Sequence, residues 1–170
     1  WGILGALGWH TWAWAQDVNP NAHQVGDVVR GQQIFRFETF GNERFWTDAL
    51  MLPQGIVAAR LTPVQALGLG LSVNVDALSP ATQAVVAAEL ATDLSPTNAP
   101  VLNSPATTVA LINANAVIGV VVVDTNQDGV RSVAAGDKVG VTCALCHTVT
   151  DGSVVSLAGG GSIGKPLDGL

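Results

Sequence analysis

The sequence predicts a mainly helical fold with one β-hairpin. Three hydroxyl–proline pairs, Thr62-Pro63, Ser79-Pro80 and Ser104-Pro105, each place an N-capping side chain before a proline at the first helical position. A continuous β-branched run at 117–123, turn residues at 124–129 and a further Val-bearing segment predict the hairpin. The chain has 170 residues, 48% of them apolar and 12% charged, so it can bury a core.

The remaining elements follow from spacing and from helix breakers. A first amphipathic helix is predicted by apolar residues at helical spacing, namely Val25, Val28, Val29, Ile34 and Phe35. Thr47-Asp48 can cap a second helix that runs through Leu52. Pro53 should break this helix, which then resumes over 54–60. The helix that starts at Ser79 is expected to reach about Asp93. Residues 152–170 are rich in Gly and Ser and predict a loop.

Charge excludes two classes of partner. Thirteen Asp and Glu against seven Lys and Arg give a formal net charge of −6. Such a chain lacks the basic surface that neutralises phosphates, which argues against nucleic-acid binding and against charge-driven binding to anionic lipid. A partner with a neutral or basic face fits better.

The first sixteen residues are apolar and rich in tryptophan. Ala13-Trp14-Ala15 has the small-x-small form of a signal-peptidase site, so residues 1–15 can be the remnant of an export signal. Alternatively the segment is a retained membrane anchor at the level of the lipid headgroups, or an ordinary buried helix. It is too short to span a bilayer alone, which needs ~20 apolar residues. The first two interpretations place the protein outside the cytoplasm, in the periplasm or attached to a membrane.

The chemistry of the chain is concentrated at Cys143-Ala144-Leu145-Cys146-His147. These are the only two cysteines, and C-x-x-C-H is the attachment signature of c-type haem. On one helical turn, positions i and i+3 can each form a thioether while i+4 presents an imidazole to the iron. A redox C-x-x-C pair would be expected within a βαβ unit, and a zinc site would need a second pair of ligands. The sequence therefore predicts one covalent haem, with Cys143 and Cys146 as thioethers and His147 as proximal iron ligand, in a single haem c domain at 17–170.

The aromatic residues outside the first sixteen positions cluster in one segment. We expect an apolar haem pocket formed by Phe35, Phe37, Phe40 and Trp46, although ordinary core packing explains the same residues equally well. Arg36, which lies between two phenylalanines, is the first candidate to pair with a haem propionate. The other candidates for that role are Arg44, Arg60 and Lys165.

The sixth iron ligand decides between two classes of function. A second strong ligand gives an electron carrier, whereas an open position gives a peroxidase, a sensor or a gas binder. Met51 is the only methionine and the candidate distal ligand; a flexible core side chain is its alternative role. His23 is the alternative distal ligand, and His10 is a third candidate if residues 1–15 are retained.

A calcium loop is half matched at 124–129. Asp124, Asn126 and Asp128 occupy loop positions 1, 3 and 5, and Gly129 occupies position 6. Position 12 is Ala135 where a bidentate Glu belongs, and Asp137 comes two residues late. A hairpin turn explains the same residues, and the sequence favours that interpretation.

Four segments of the chain resemble a family of exported, largely uncharacterised bacterial c-type cytochromes. They occur in the family's order and comprise 31–41 with Phe45-Trp46, 104–111, 141–147 and 164–169. The chain resembles the N-terminal half of such proteins. At Pro53 it departs from members that carry a His, so no ligand role is transferred there.

The resemblance implies an exported haem protein that handles electrons. Together with the motif, it leads us to expect a monohaem c-type cytochrome for one-electron transfer in the cell envelope. Redox proteins would be its partners, including a respiratory or photosynthetic membrane complex on which it docks. The alternative is a peroxidase-like haem enzyme fragment or a haem-based sensor with an open sixth position.

Overall fold

A computed structural model describes residues 26–168 of the chain. Within that range, five of the six α-helices precede residue 114, and six of the seven strands follow residue 119. The α-helices are α1 (Val28–Phe37), α2 (Leu52–Ala58), α3 (Pro63–Gly68), α4 (Pro80–Leu90), α5 (Pro105–Asn113) and α6 (Ala144–His147). A π-helical turn covers Phe45–Ala49, and 3-10 turns cover Val75–Ala77 and Val133–Ala135. No helix in this part of the chain is long and apolar enough to cross a membrane.

The strands of residues 26–168 form three small sheets. One sheet has the order β1-β6-β5, in which β1 is parallel to β6 and β5 is antiparallel to it. The other two sheets are the antiparallel pairs β2-β3 and β4-β7. The strands are β1 (Val73–Asn74), β2 (Val120–Val123), β3 (Lys138–Val141), β4 (Thr148–Thr150), β5 (Val155–Ser156), β6 (Ser162–Gly164) and β7 (Pro166–Asp168).

The predicted fold class, a mainly helical cytochrome-like domain with one hairpin, is wrong, because the protein has a mixed α/β fold. The main error is at 152–170, predicted as a loop, where the structure has β5, β6 and β7. Glycine is used there for close packing: a Cβ on Gly161 would lie 2.0 Å from the carbonyl oxygen of Leu67, and one on Gly164 would lie 2.2 Å from Asp151 Oδ1.

The hydroxyl–proline starts are confirmed. Pro63, Pro80 and Pro105 are the first residues of α3, α4 and α5. Thr62 forms a capping box with Gln65, and the Ser79 hydroxyl accepts the Thr82 N–H at 3.1 Å, whereas the Ser104 side chain makes no capping bond. The helix α4 ends at Leu90, before the expected Asp93.

Pro53 lies in the first turn of a helix instead of ending one. The structure replaces the predicted helix over 47–52 by the π-helical turn Phe45–Ala49 and starts α2 at Leu52, so that Pro53 is in its first turn. Proline is tolerated there because its missing N–H would have no intrahelical partner. Met51, immediately before α2, has a left-handed backbone with φ of 52°.

The core is centred on the predicted strand run. The antiparallel pairing expected for the hairpin is present between β2 and β3, where Val122 faces Val139 and both side chains are 1% exposed. Helices α3 and α5 cover this region with the buried residues Leu67, Leu111 and Ile112. A buried carboxylate, Glu89, accepts the backbone N–H groups of Val101 and Leu102 at 2.9 and 2.8 Å, which fixes the loop between α4 and α5.

Candidate functional site

The C-x-x-C-H motif forms a single exposed helical turn between β3 and β4. Cys143 is the N-cap of α6, and His147 is its last residue. The side chains of Cys143, Cys146 and His147 are exposed, whereas Ala144 and Thr148 are buried. One face of the turn is therefore anchored in the protein, and the opposite face presents two free thiols and an imidazole.

Two neighbouring segments, the residue before β2 and the end of α1, fix the position of this turn. Gly119, just before β2, has φ of 78°, and its carbonyl oxygen accepts the Thr142 N–H at 2.9 Å. A Cβ on Gly119 would lie 2.1 Å from the backbone nitrogen of Leu145, so only glycine allows this approach. The Thr142 hydroxyl donates to the carbonyl oxygen of Arg36 at 3.0 Å, which joins the end of α1 to the motif.

Residues 42–48 run along β3, and their side chains form hydrogen bonds with the backbone at the strand edge that β2 does not occupy. Asn42 bonds both the N–H and the C=O of Val141, at 3.0 and 2.6 Å. Thr47 does the same for Val139, at 2.8 and 3.1 Å, and Asp48 forms an ion pair with Lys138. The segment thus runs antiparallel to β3, with residue 42 near the motif and residue 48 at the distant end of the strand.

Exposed apolar side chains border the motif. In the β4-β7 pair, Val149 lies opposite Leu167, and both are nearly half exposed. Phe37 is 40% exposed at the end of α1, and Phe40, which follows it in a left-handed conformation, is 72% exposed. Clusters of exposed apolar side chains commonly mark surfaces that a ligand or partner covers. We call Phe37, Phe40, Val149 and Leu167 the apolar border of the motif.

An ion pair links α1 to β7 beside the motif. Arg36 donates from Nε to Asp168 Oδ2 at 2.7 Å and forms a 2.6 Å salt bridge to it through Nη2. Gln32 and Thr148 donate to the same carboxylate at 2.7 and 3.1 Å. Burial raises the pKa of Asp168, but the bonds from Arg36 and Gln32 and the charge of Arg36 lower it more, so this pKa lies below its ordinary value.

We expect Asp168→Asn to lower the free energy of unfolding by about 1–3 kcal/mol at pH 7, because Arg36 would lose its charged partner. A lowered folded-state pKa stabilises the protein above the unfolded value of ~3.9, and this stability is lost as pH falls through the folded pKa. The difference from the unmodified protein should therefore shrink below about pH 4. Urea denaturation at pH 7 and pH 3 measures it.

The control for this prediction is Asp76→Asn, which changes an exposed aspartate on the 3-10 turn Val75–Ala77. We expect its effect to stay within about 0.5 kcal/mol at both pH values. Equal losses for Asp168→Asn and Asp76→Asn at pH 7 would contradict a specific role for the ion pair.

The structure brings only some of the predicted pocket residues to the motif. Phe37 and Arg36 lie beside α6, and both line a narrow cleft whose wall includes the buried residues Ala144 and Thr148. Phe35 is half-buried on α1, and Trp46 is half-buried in edge contact with Phe45, with ring centroids 5.5 Å apart. Arg36 already pairs with Asp168, so its expected bond to a propionate would compete with this salt bridge.

Met51 lies away from the motif. It follows the π-helical turn that borders the Lys138 end of β3, and it caps α2. Pro53 and Val57 of α2 line a cleft together with Val133 and Val139. This cleft is near the start of β3, at the end of the strand that is opposite to the motif. None of these contacts brings Met51 to the C-x-x-C-H turn. His23 and His10 lie outside the described residues.

The remaining predicted residues are dispersed. Arg44 and Arg60 are exposed, and the backbone N–H of Lys165 donates to Asp151 Oδ1 at 2.8 Å.

Val149 and Leu167 were not predicted as site residues, although Thr148-Val149-Thr150 has the polar–apolar alternation of a strand. Among residues 26–168, no three His, Cys, Asp or Glu side chains form a group that could hold a metal ion.

Comparison with known proteins gives no relative for this chain. No protein-family model matches it, and no curated protein or solved structure is significantly similar to it.

Proposed function

We propose that the protein is a monohaem c-type cytochrome that transfers single electrons in the cell envelope. The observation that carries the proposal is the shared exposed face of Cys143, Cys146 and His147 on one short helical turn. Each of the three groups has the chemistry that covalent haem attachment requires, and the i, i+3, i+4 spacing places them side by side.

The surroundings of the turn also fit a haem. Both thiols are free and accessible, as thioether formation requires. The apolar border offers side chains that a porphyrin would remove from water, which is favourable by roughly 25 cal/mol per Å². When bound, the haem would supply reversible one-electron chemistry at its iron.

The chain's own residues have separable roles in this proposal. Cys143 and Cys146 would hold the group covalently, and His147 would ligate the iron. Gly119, Thr142 and Arg36 fix the turn that carries them. Because the turn is at the surface, a haem held there would lie close to a docked redox partner, and the net charge of −6 favours a partner with a neutral or basic face.

A second candidate function is a peroxidase-like enzyme or sensor with an open sixth position. The placement of Met51 towards the Lys138 end of β3 supports it, because Met51 is the only methionine of the chain. In the electron-carrier proposal, His23 is then the favoured distal ligand. The proposed location is the periplasm or another extracytoplasmic compartment.

The visible spectrum distinguishes the two candidates. We expect the purified full chain, reduced with dithionite, to show a c-type spectrum that carbon monoxide leaves unchanged, because a filled sixth position excludes the gas. Met51→Ala should keep this behaviour, whereas His23→Ala should become reactive to carbon monoxide. Prompt reactivity of the unmodified protein would favour the open-site candidate, and the absence of any haem spectrum would refute both.

A further inference from the structure

A cleft of about 470 Å³ lies between α1 and the buried strand β2, which is within the range of roughly 300–1,000 Å³ of ligand pockets. We call it the amide cleft, after the amide side chains in its wall. It is defined by Gln33, Phe37, Asn74, Asn115, Val121 and Arg131. We propose that the amide cleft binds a small organic acid through its carboxylate group. None of the defining residues belongs to the C-x-x-C-H turn, so the proposal does not depend on haem.

Hydrogen bonds between distant segments bring the polar side chains of the amide cleft together. The Asn74 N–H donates to the carbonyl oxygen of Ala116 at 2.8 Å, which joins β1 to the segment after α5. The Val133 N–H donates to Asn113 Oδ1 at 3.1 Å, which places the segment of Arg131 at the end of α5. Side chains from separate elements therefore meet around one cleft.

The two asparagines present hydrogen-bond donors. Asn74 Oδ1 accepts the Asp76 N–H at 2.9 Å, and Asn115 Oδ1 accepts the Val122 N–H at 2.8 Å. These bonds identify the oxygen end of each amide. Neither Nδ2 group has a partner among residues 26–168, and both are accessible to solvent. Because an amide NH2 can only donate, the two groups suit an oxygen acceptor such as a carboxylate.

Arg131 supplies a positive charge at the same cleft. Its guanidinium is exposed, and the salt bridges within the described part of the chain are those of Arg36 and Lys138. No acidic side chain belongs to the described wall of the cleft. A guanidinium can donate two parallel hydrogen bonds to a carboxylate. The charge and the donors of the wall therefore favour an anion.

The acidic turn that precedes Arg131 is closed by its own hydrogen bonds. Asp124 Oδ2 accepts the Gly129 N–H at 2.8 Å, and Asn126 Oδ1 accepts the Asp128 N–H at 2.9 Å. The Asp128 carboxylate in turn accepts the N–H two residues further along, at 2.8 Å. These side chains bond the backbone of the turn, and none of them lies in the wall of the amide cleft.

An apolar surface completes the amide cleft and favours an organic acid over an inorganic anion. Val121 is buried in the wall, and Phe37 is 40% exposed. Gln33 and Phe37 are four residues apart on α1 and therefore share one face of that helix. A ligand with an aromatic ring would remove part of Phe37 from water and pair with its ring, which an inorganic anion cannot do.

Titration of the isotope-labelled full chain with benzoate, followed by NMR, tests the proposal. We expect the side-chain NH2 signals of Asn74 and Asn115 to shift, with a Kd on the order of 1 mM. Benzyl alcohol has the ring without the charge, and acetate has the charge without the ring. Each should bind about tenfold more weakly than benzoate. Equal binding of either compound, or no shift of these signals with benzoate, would overturn the proposal.

Two variants test the donors separately. Asn74→Asp keeps an oxygen that can accept the Asp76 N–H but replaces the NH2 group by a second carboxylate oxygen. It should abolish benzoate binding and change Tm by no more than about 2 °C. Arg131→Gln should raise the Kd about tenfold. Unchanged benzoate binding in both variants would refute the site.

Arg60→Gln is the matched control, because Arg60 is also an exposed arginine but does not line the amide cleft. We expect it to leave the Kd of benzoate unchanged. An equal weakening in Arg60→Gln and Arg131→Gln would reveal a general effect of net charge and overturn the proposal.

Discussion

Replacement of both Cys143 and Cys146 by alanine is expected to abolish covalent haem attachment and leave the fold intact. Both side chains are exposed and make no disulfide, so the free energy of unfolding of the haem-free chain should change by no more than about 0.5 kcal/mol. Each single replacement should keep one thioether. The measurement is the amount of haem that stays bound to the chain after denaturation and acidic extraction. The protein is produced in a host that exports it and attaches haem to c-type cytochromes.

A matched variant and a second readout sharpen this test. Val130→Ala changes an exposed side chain that is 62% accessible and lies in the connection between β2 and β3, so it should retain all covalent haem. His147→Ala should retain thioether-bound haem but alter the spectrum, because the iron loses its proximal ligand. Covalent haem on the doubly substituted chain would contradict the proposed function outright.

Local sequence rules predicted the parts of the fold that depend on nearest neighbours. Pro63, Pro80 and Pro105 start helices because the fixed φ and missing N–H of proline act at the residue itself. The β2 strand is likewise a local consequence of four consecutive valines in a buried setting. These elements needed no knowledge of the tertiary structure.

The elements that were missed depend on distant partners. Strand β6 forms because Ile163 pairs with Val73 and Val155, and no local rule foresees this in a segment rich in Gly and Ser. Such strands are too short for periodicity to be read, at two or three residues each.

The same distinction applies to the candidate site. Spacing alone placed Cys143, Cys146 and His147 on one turn, because that relation is set within five residues. The distance of Met51 from the motif could not be predicted in this way, since it follows from the bonds that Asn42 and Thr47 make to β3. The partner of Arg36 was also hidden, because Asp168 is 132 residues away in the chain.

Gly119→Ala is expected to give the largest loss of stability of any single methyl addition near the motif. Alanine at φ of 78° is strained, and its Cβ would lie 2.1 Å from the nitrogen and 2.2 Å from the Cα of Leu145, both backbone atoms. We expect a loss of about 2–5 kcal/mol in the free energy of unfolding, measured by urea denaturation. Displacement of α6 should also reduce the fraction of chains that carry covalent haem.

Gly70→Ala separates backbone strain from the close contact. Gly70 has a similar left-handed φ of 91°, but a Cβ there would meet nothing within 4 Å. Strain alone should cost about 1–2 kcal/mol and leave haem attachment unchanged. A Gly119→Ala chain no less stable than Gly70→Ala would mean that the backbone before β2 does not hold the motif turn. A larger loss of unfolding free energy in Gly119→Ala than in Gly70→Ala, together with less covalent haem, would show that haem attachment depends on the close approach of Gly119 to Leu145.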